Sequence, residues 1–252
     1  MPPKGPTKTY LSYASREKQI VEKAIDYFSE NGFQASTREI AKHIGVTQPL
    51  LYRYFKTKNE LIERVFNEVF LTRWKGEWQV ELQNRAIPFR ERLKSYLIDY
   101  CDSILHRQWI RIFLLGALND QSINRRYISM LQERTFPIIL NEFYHSIGVT
   151  NTDEANRQLD SEILWSFHSS FFYLGVRKYV YQLPVPEDIE SLVDARVNAF
   201  LDGAAKEFTD RRLKGGRRMP PEGILDPLAE LGFLSGPGVG ESKRKAVKKK
   251  KA

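Results

Sequence analysis

Between Ser36 and Leu61 the chain gathers a glutamine, an arginine, two tyrosines and two lysines around one short predicted helix. Gln48, Leu50, Tyr52, Arg53 and Tyr54 form its outer face, with Lys56 and Lys58 just beyond. A glutamine amide can pair bidentately with adenine in the major groove of DNA. Tyrosine hydroxyls, arginine, lysine and helix N-termini are phosphate-anchoring groups. Leu51 and Phe55, four apart, turn the other way, toward a core. Taken singly, each polar side chain here also suits ordinary packing or a solvated face. Their gathering beside a tight turn points to duplex DNA.

The elements that must hold this face are written around it. Ser36 with Glu39 spells a capping box, which predicts a helix from Thr37. Ile40, Ala41 and Ile44 fall on one face of it. Gly45 suits the left-handed conformation that ends a helix. Thr47 is placed to cap the next helix, which Gln48 begins. Pro49 takes its second position, where a missing N–H costs little. Thr57 with Glu60 is a second capping box and opens another helix. Two short helices joined by a tight glycine turn make a helix-turn-helix.

The string from Ile40 to Leu61 resembles the DNA-binding domain of the TetR family of bacterial one-component regulators. The family pattern I-A-x-x-x-G-V-S-x-x-x-L-Y-x-H/Y-F-x-S/T-K-x-x-L is met by Ile40, Ala41, Gly45, Val46, Thr47 and Leu51. It continues through Tyr52, Tyr54, Phe55, Thr57, Lys58 and Leu61. Upstream, Ile20, Ala24, Phe28, Gly32 and Phe33 sit where the family's first helix carries its core and its glycine stop. Pro49 departs from the pattern, since many members carry a small residue there. The departure leaves docking intact and bears on close approach to the groove. The resemblance implies that Thr37 and Arg38 touch DNA. It implies a recognition face of Thr47, Gln48, Pro49, Leu50, Tyr52, Arg53 and Tyr54, and a phosphate clamp at Lys58.

Charge is placed unevenly along the 252 residues. Residues 1–75 carry a net +5, residues 76–213 a net −3, and residues 214–252 a net +6. A basic reader joined to a body that does not bind DNA has this distribution. The lone cysteine, Cys101, allows no internal disulfide. The first residues, MPPKGPTKTY, lack the apolar core of a secretory signal. The most membrane-like run, Ile163 to Val176, is 14 residues long and holds His168. That falls short of the roughly 18 a spanning helix needs. A cytoplasmic protein without a membrane partner is expected. There is no H-E-x-x-H, C-x-x-C, G-x-S-x-G or phosphate-binding glycine loop, and His43, His106, His145 and His168 share no metal-ligand spacing. Neither catalytic nor metal-binding residues are expected, nor a cofactor.

Four segments follow: a basic arm over residues 1–14, the reader over 15–62, a helical body over 63–213 and a basic tail over 214–252. The arm either reaches along DNA, as homeodomain arms do, or is a plain disordered terminus. The tail ends in KRKAVKKKKA and holds an apolar patch of Ile224, Leu225, Leu228, Leu231 and Phe233. It serves either nonspecific phosphate contact or solubility. Strand-like alternation is absent, so an all-α fold is expected, a helix-turn-helix domain followed by a larger helical one. Predicted helices run from Arg16 to Asn31, from Lys58 to Trp74, from Asp153 to Leu183, and from Ile189 through Phe208. Pro137 should kink or restart another.

The last two long helices are apolar around much of their girth, so a second copy is the expected neighbour. Two readers related by a two-fold axis would read a palindrome. The resemblance implies the same helix pair as a four-helix interface, and a pocket between these helices and the one near Phe89–Leu105. Cys101, His106, Arg111, Trp165, His168 and Tyr173 are the polar groups set in apolar stretches that could orient an unidentified small-molecule effector. Each is equally at home in a core or an interface. The expected function is a ligand-released dimeric repressor. The alternative is a DNA-bound adaptor whose body binds a protein, favoured by an exposed apolar patch where a closed cavity favours the sensor.

Overall fold

The computed structural model describes residues 12–119, 121–150 and 152–213, with backbone alone at 119 and 121–123. Most of the arm and the whole tail, with its apolar patch and lysine run, lie outside the described residues. Eleven α-helices and no strand are found among the described residues. The reader comprises α1 (Tyr13–Asn31), α2 (Thr37–Ile44), α3 (Gln48–Tyr54) and α4 (Lys58–Phe66). The body comprises α5 (Glu77–Leu82), α6 (Phe89–Ile104), α7 (Arg107–Asn119), α8 (Gln121–Met130), α9 (Phe136–Ser146), α10 (Glu154–Tyr179) and α11 (Ile189–Leu213).

The first helix starts earlier than Arg16 because Ser12 caps it, its hydroxyl accepting from the Ser15 N–H at 3.1 Å. Ile20, Val21, Ala24 and Phe28 form its buried stripe. Gly32 ends it at φ +70°, where a side chain would be strained.

The helix expected from Lys58 to Trp74 keeps α-geometry only to Phe66 and then passes through a π-turn over Asn67–Leu71. The widened turn buries consecutive residues, Val69 and Phe70. Phe70 thereby reaches Trp109 at 5.0 Å and Phe113 at 5.9 Å between ring centres, joining reader to body. The helix α5, not foreseen, is held by Trp78, whose indole N–H donates to Asp99 at 2.7 Å.

Pro137 sits in the first turn of α9, after a second π-turn over Leu131–Thr135, so the helix restarts there as expected. Asp153 is the N-cap of α10 and not its first residue. This helix stops at Tyr179, short of Leu183, as Gln182 turns left-handed at φ +56°. The Tyr181 N–H folds back to the Val176 carbonyl at 3.1 Å.

Reader and body meet along α1 and α7. Arg107 pairs with Glu30, whose carboxyl it holds below the usual range. Gln108 donates to Asp26 at 2.7 Å, and Arg111 donates to the Ser29 carbonyl at 2.5 Å. On the other side of α7, Gly175 lets α10 approach closely. A Cβ there would lie 2.7 Å from Cγ1 of Ile110.

At the far end of the body, Asp160 is fully buried and accepts from the Tyr144 hydroxyl at 2.8 Å and from Arg212 at 2.7 Å. Arg211, nearly buried itself, also pairs with it. One carboxylate thus ties α9, α10 and α11 together. Asp160→Ala removes the shared carboxylate of two largely buried guanidinium groups, leaving Arg211 with Glu207 and Asn156 and Arg212 with the Phe208 carbonyl and Thr152. A loss of about 3–5 kcal/mol is expected, measured by urea unfolding. An unchanged midpoint would show that the cluster is not a structural anchor.

Candidate nucleic-acid interface

The reader's two short helices are fixed by their caps. The Ser36 N–H donates to Glu39 Oε2 at 2.7 Å while the Glu39 N–H donates back to the Ser36 hydroxyl at 3.3 Å. These bonds from Ser36 hold the Glu39 carboxyl below its ordinary range. Gly45 takes the left-handed conformation at φ +81°, and its N–H reaches the Ala41 carbonyl at 3.1 Å. The Thr47 hydroxyl caps α3 by accepting from the Leu50 N–H at 3.3 Å. In α4 the Thr57 hydroxyl accepts from the Glu60 N–H at 3.1 Å, and Glu60 accepts from the Lys56 N–H at 2.7 Å. Leu51 and Phe55 are buried, so α3 lies on the domain with one face in and one face out.

The outward face is partly bonded together. The Gln48 amide donates to the Thr37 hydroxyl at 3.1 Å, and that hydroxyl lies 3.0 Å from the Tyr52 hydroxyl. Three expected DNA-contacting residues, from two helices, therefore form one chain of hydrogen bonds. An amide nitrogen carries two hydrogens and its oxygen is a separate acceptor, so Gln48 keeps groups free for a base. Arg38, Pro49, Tyr52 and Arg53 are exposed, and Leu50 and Lys58 are half-buried. Arg38 and Arg53 have no ion-pair partner among the described residues. Thr47 is exposed with its hydroxyl used in the cap. Tyr54 is half-buried and stacked on Tyr13 at 4.4 Å between ring centres, so its ring packs the end of α3 against the start of α1.

Sequence reasoning missed two supports. Tyr13 lay inside the segment read as arm. Lys23 donates to the Ile44 carbonyl at 2.8 Å, closing the C-terminal end of α2 from α1. A lysine able to reach the last carbonyls of another helix has no local signature.

The six polar residues of the body are not brought together. Cys101 and His106 line one cavity of about 310 Å³ between α6, the end of α10 and the start of α11. Ile98, Leu105, Leu174, Val185 and Ile189 give it apolar walls. Burial pushes the Cys101 thiol up to about 12, so it is a neutral wall. Arg111 is engaged with α1 at Ser29. Trp165 packs edge-on against Phe136 at 4.6 Å, and Tyr173 is exposed. His168 is buried 2.9 Å from the Tyr96 hydroxyl, with Tyr100 4.4 Å and Phe136 5.1 Å from its ring centre.

Burial lowers the His168 imidazole to about 3, so it is neutral in the folded protein, while an unfolded histidine titrates near 6.5. The unfolded state therefore gains the proton first. Stability is full above pH 6.5 and declines as pH falls toward 3. Urea unfolding should show a loss of about 2 kcal/mol between pH 7 and pH 5. His168→Phe should remove that loss. An equal loss in the variant would mean that another group is responsible.

Residues 20–65 match the family described as bacterial regulatory proteins, tetR family. The HTH-type transcriptional repressor KstR2 of Mycolicibacterium smegmatis is 32% identical over 95 residues, 37% of this chain and 45% of that protein. The class D tetracycline repressor of Escherichia coli is 30% identical over 87 residues, 31% of this chain and 40% of the repressor. The chain thus spans less than half the length of these curated relatives. In fold it is similar to a TetR-like transcriptional regulator from Rhodococcus sp. RHA1, with a TM-score of 0.54 at 21% identity over 82% of this chain and all of that one. AmtR of Mycobacterium smegmatis gives a TM-score of 0.53 at 18% identity over 85% of this chain and all of its own. Residues 20–65 thus match the tetR family of bacterial regulatory proteins, and the larger helical body that follows shares the fold of TetR-like regulators.

Proposed function

We propose that the chain is a sequence-specific transcriptional regulator of double-stranded DNA, a dimeric repressor that a small molecule releases from a palindromic operator. It is a regulator in the way its relatives are by name, and no enzymatic role is assigned to it. The observation that carries the reading is the α3 rod, buried along Leu51 and Phe55 and presenting Gln48, Tyr52 and Arg53 outward. Gln48 faces bases. Thr37, Arg38, Thr47, Pro49, Leu50, Tyr54 and Lys58 surround it as positioning and phosphate contacts.

Dimerisation is supported by the outward faces of the last two helices. On α11, Ser191, Ala195, Ala199 and Gly203 are exposed at four-residue spacing. On α10, Glu162, Ser166, Ser169 and Tyr173 are exposed along one face at alternating four- and three-residue spacing. Small side chains let a partner's helices come close while Tyr173 supplies apolar area. Two readers so joined would occupy successive turns of one face of the duplex.

Release by a ligand draws on the cavity lined by Leu105 and His106. The next residue, Arg107, grips Glu30 on α1. A ligand that fits one arrangement of this corner better than another biases the separation of the two readers by that difference in affinity. The apolar walls of this cavity support the sensor reading, although its mouth is open to solvent. No helix among the described residues is long and apolar enough to cross a membrane, and the protein is taken to act on DNA in the cytoplasm.

Selection of bound duplexes from a random pool should return an inverted repeat. A set without two-fold symmetry overturns the dimeric reading. On the selected duplex, Gln48→Ala should cost about 1–3 kcal/mol and relax preference at one base pair of each half-site. Lys58→Ala should weaken all sequences alike and lower the salt slope by about one for each phosphate it no longer neutralises. If Lys58→Ala leaves the salt slope unchanged, the phosphate clamp is misplaced.

A further inference from the structure

We infer that the cavity beside Cys101 takes a small apolar molecule carrying one positive charge, an alkyl- or arylammonium. For its regulatory consequence this rests on the reading above. For its chemistry it rests on the cavity alone. At about 310 Å³, with five aliphatic side chains in its walls, the space is at the small end of ligand pockets and has a hydrophobic interior.

The ionisable groups at its mouth are Asp102, Lys178, Glu190 and His106. Three of them have a local explanation. Lys178 lies in the last turn of α10, where cations answer the helix carbonyls, and its ammonium sits 5.3 Å from the Tyr179 ring centre. Glu190 lies in the first turn of α11, where an anion is favoured. Nε2 of His106 lies 2.7 Å from the Asp102 backbone carbonyl, which engages that nitrogen locally.

Asp102 has no such explanation. It stands in the last turn of α6, the negative end of that helix, where no basic residue accompanies it. Lys75 senses it, yet the Lys75 ammonium is bonded to Asp99. Arg196 is held by the Ser170 carbonyl at 3.0 Å and lies over the Phe171 ring. Among the described residues the Asp102 carboxylate therefore has no hydrogen-bond or ion-pair partner. A carboxylate at an unfavourable helix end, beside an apolar hole that Glu190 also lines, is a receptor for an ammonium on a hydrophobic body.

The position of the site also gives occupancy a route to the reader. The Tyr179 hydroxyl donates to the Leu105 carbonyl at 2.7 Å, tying α10 to the corner that leads into Arg107. A body lodged between Leu174 and Leu105 presses on that tie.

The test uses three isosteric probes, phenylbutylamine, phenylbutanol and phenylbutyrate, titrated calorimetrically into the full chain. The amine should bind about tenfold more tightly than the alcohol, and the carboxylate weakest of all. Asp102→Asn should remove most of the amine's advantage while leaving alcohol binding unchanged. Glu190→Gln should narrow the gap by a smaller factor. An alcohol that matches the amine in the parent overturns the proposal. So does an amine preference undiminished in Asp102→Asn, or the failure of all three probes to bind. A second arm measures affinity for the selected duplex with saturating phenylbutylamine. Binding of the amine with unchanged DNA affinity supports the site and removes its regulatory role.

Discussion

Everything the reader presents depends on the angle between two helices too short to stand alone. α2 has eight residues and α3 has seven, below the length at which a helix is stable by itself in water. Each has orphan N–H groups at its start, and the chain satisfies some of these from its own side chains, with Ser36 for α2 and Thr47 for α3. Between them only Gly45 takes a positive φ, which lets the chain turn tightly without a clashing Cβ. The Thr37 hydroxyl then binds α2 to both Gln48 and Tyr52 of α3. The hydrogen bonds that fix the angle are thus also those that orient the face proposed to meet DNA.

The body solves a different problem. Its long helices need fixing where they end, and it does this with buried charge. Glu142 on α9 receives Arg85 at 2.9 Å and Arg92 at 3.0 Å, and these bonds hold its carboxyl below the usual range. Asp160 likewise receives Arg211 and Arg212 at the end of α11 through ion pairs. Between these clusters the centre is filled with rings. Tyr96, Tyr100, Trp109 and Tyr127 are all buried, which leaves the open space at the edge, next to α7 and its grip on α1. A body packed in this way has little room to absorb displacement.

How much was legible depended on how local the cause was. The caps at Ser36, Thr47 and Thr57 and the glycine at 45 were readable because each acts within four residues. The restart of α9 at Pro137 was readable for the same reason. Other features escaped because a distant partner decides them. The π-turn over Asn67–Leu71 places Phe70 against Trp109, and no periodicity announces it. Trp78 needed Asp99 to make a helix of its segment. Arg111 and His168 looked alike as polar groups in apolar helices, yet one binds α1 and the other sits beneath Tyr96.

The sequence by itself determined the all-helical class, the helix-turn-helix and the outward set of α3, because capping, turn conformation and helical period are short-range effects. Only the tertiary structure decided which polar groups of the body face open space and which are consumed by neighbours. It also decided that the cavity adjoins the corner leading to α1. Burial and ion pairing are properties of surfaces brought together from distant parts of the chain, and a residue's type and spacing do not reveal what lies opposite it.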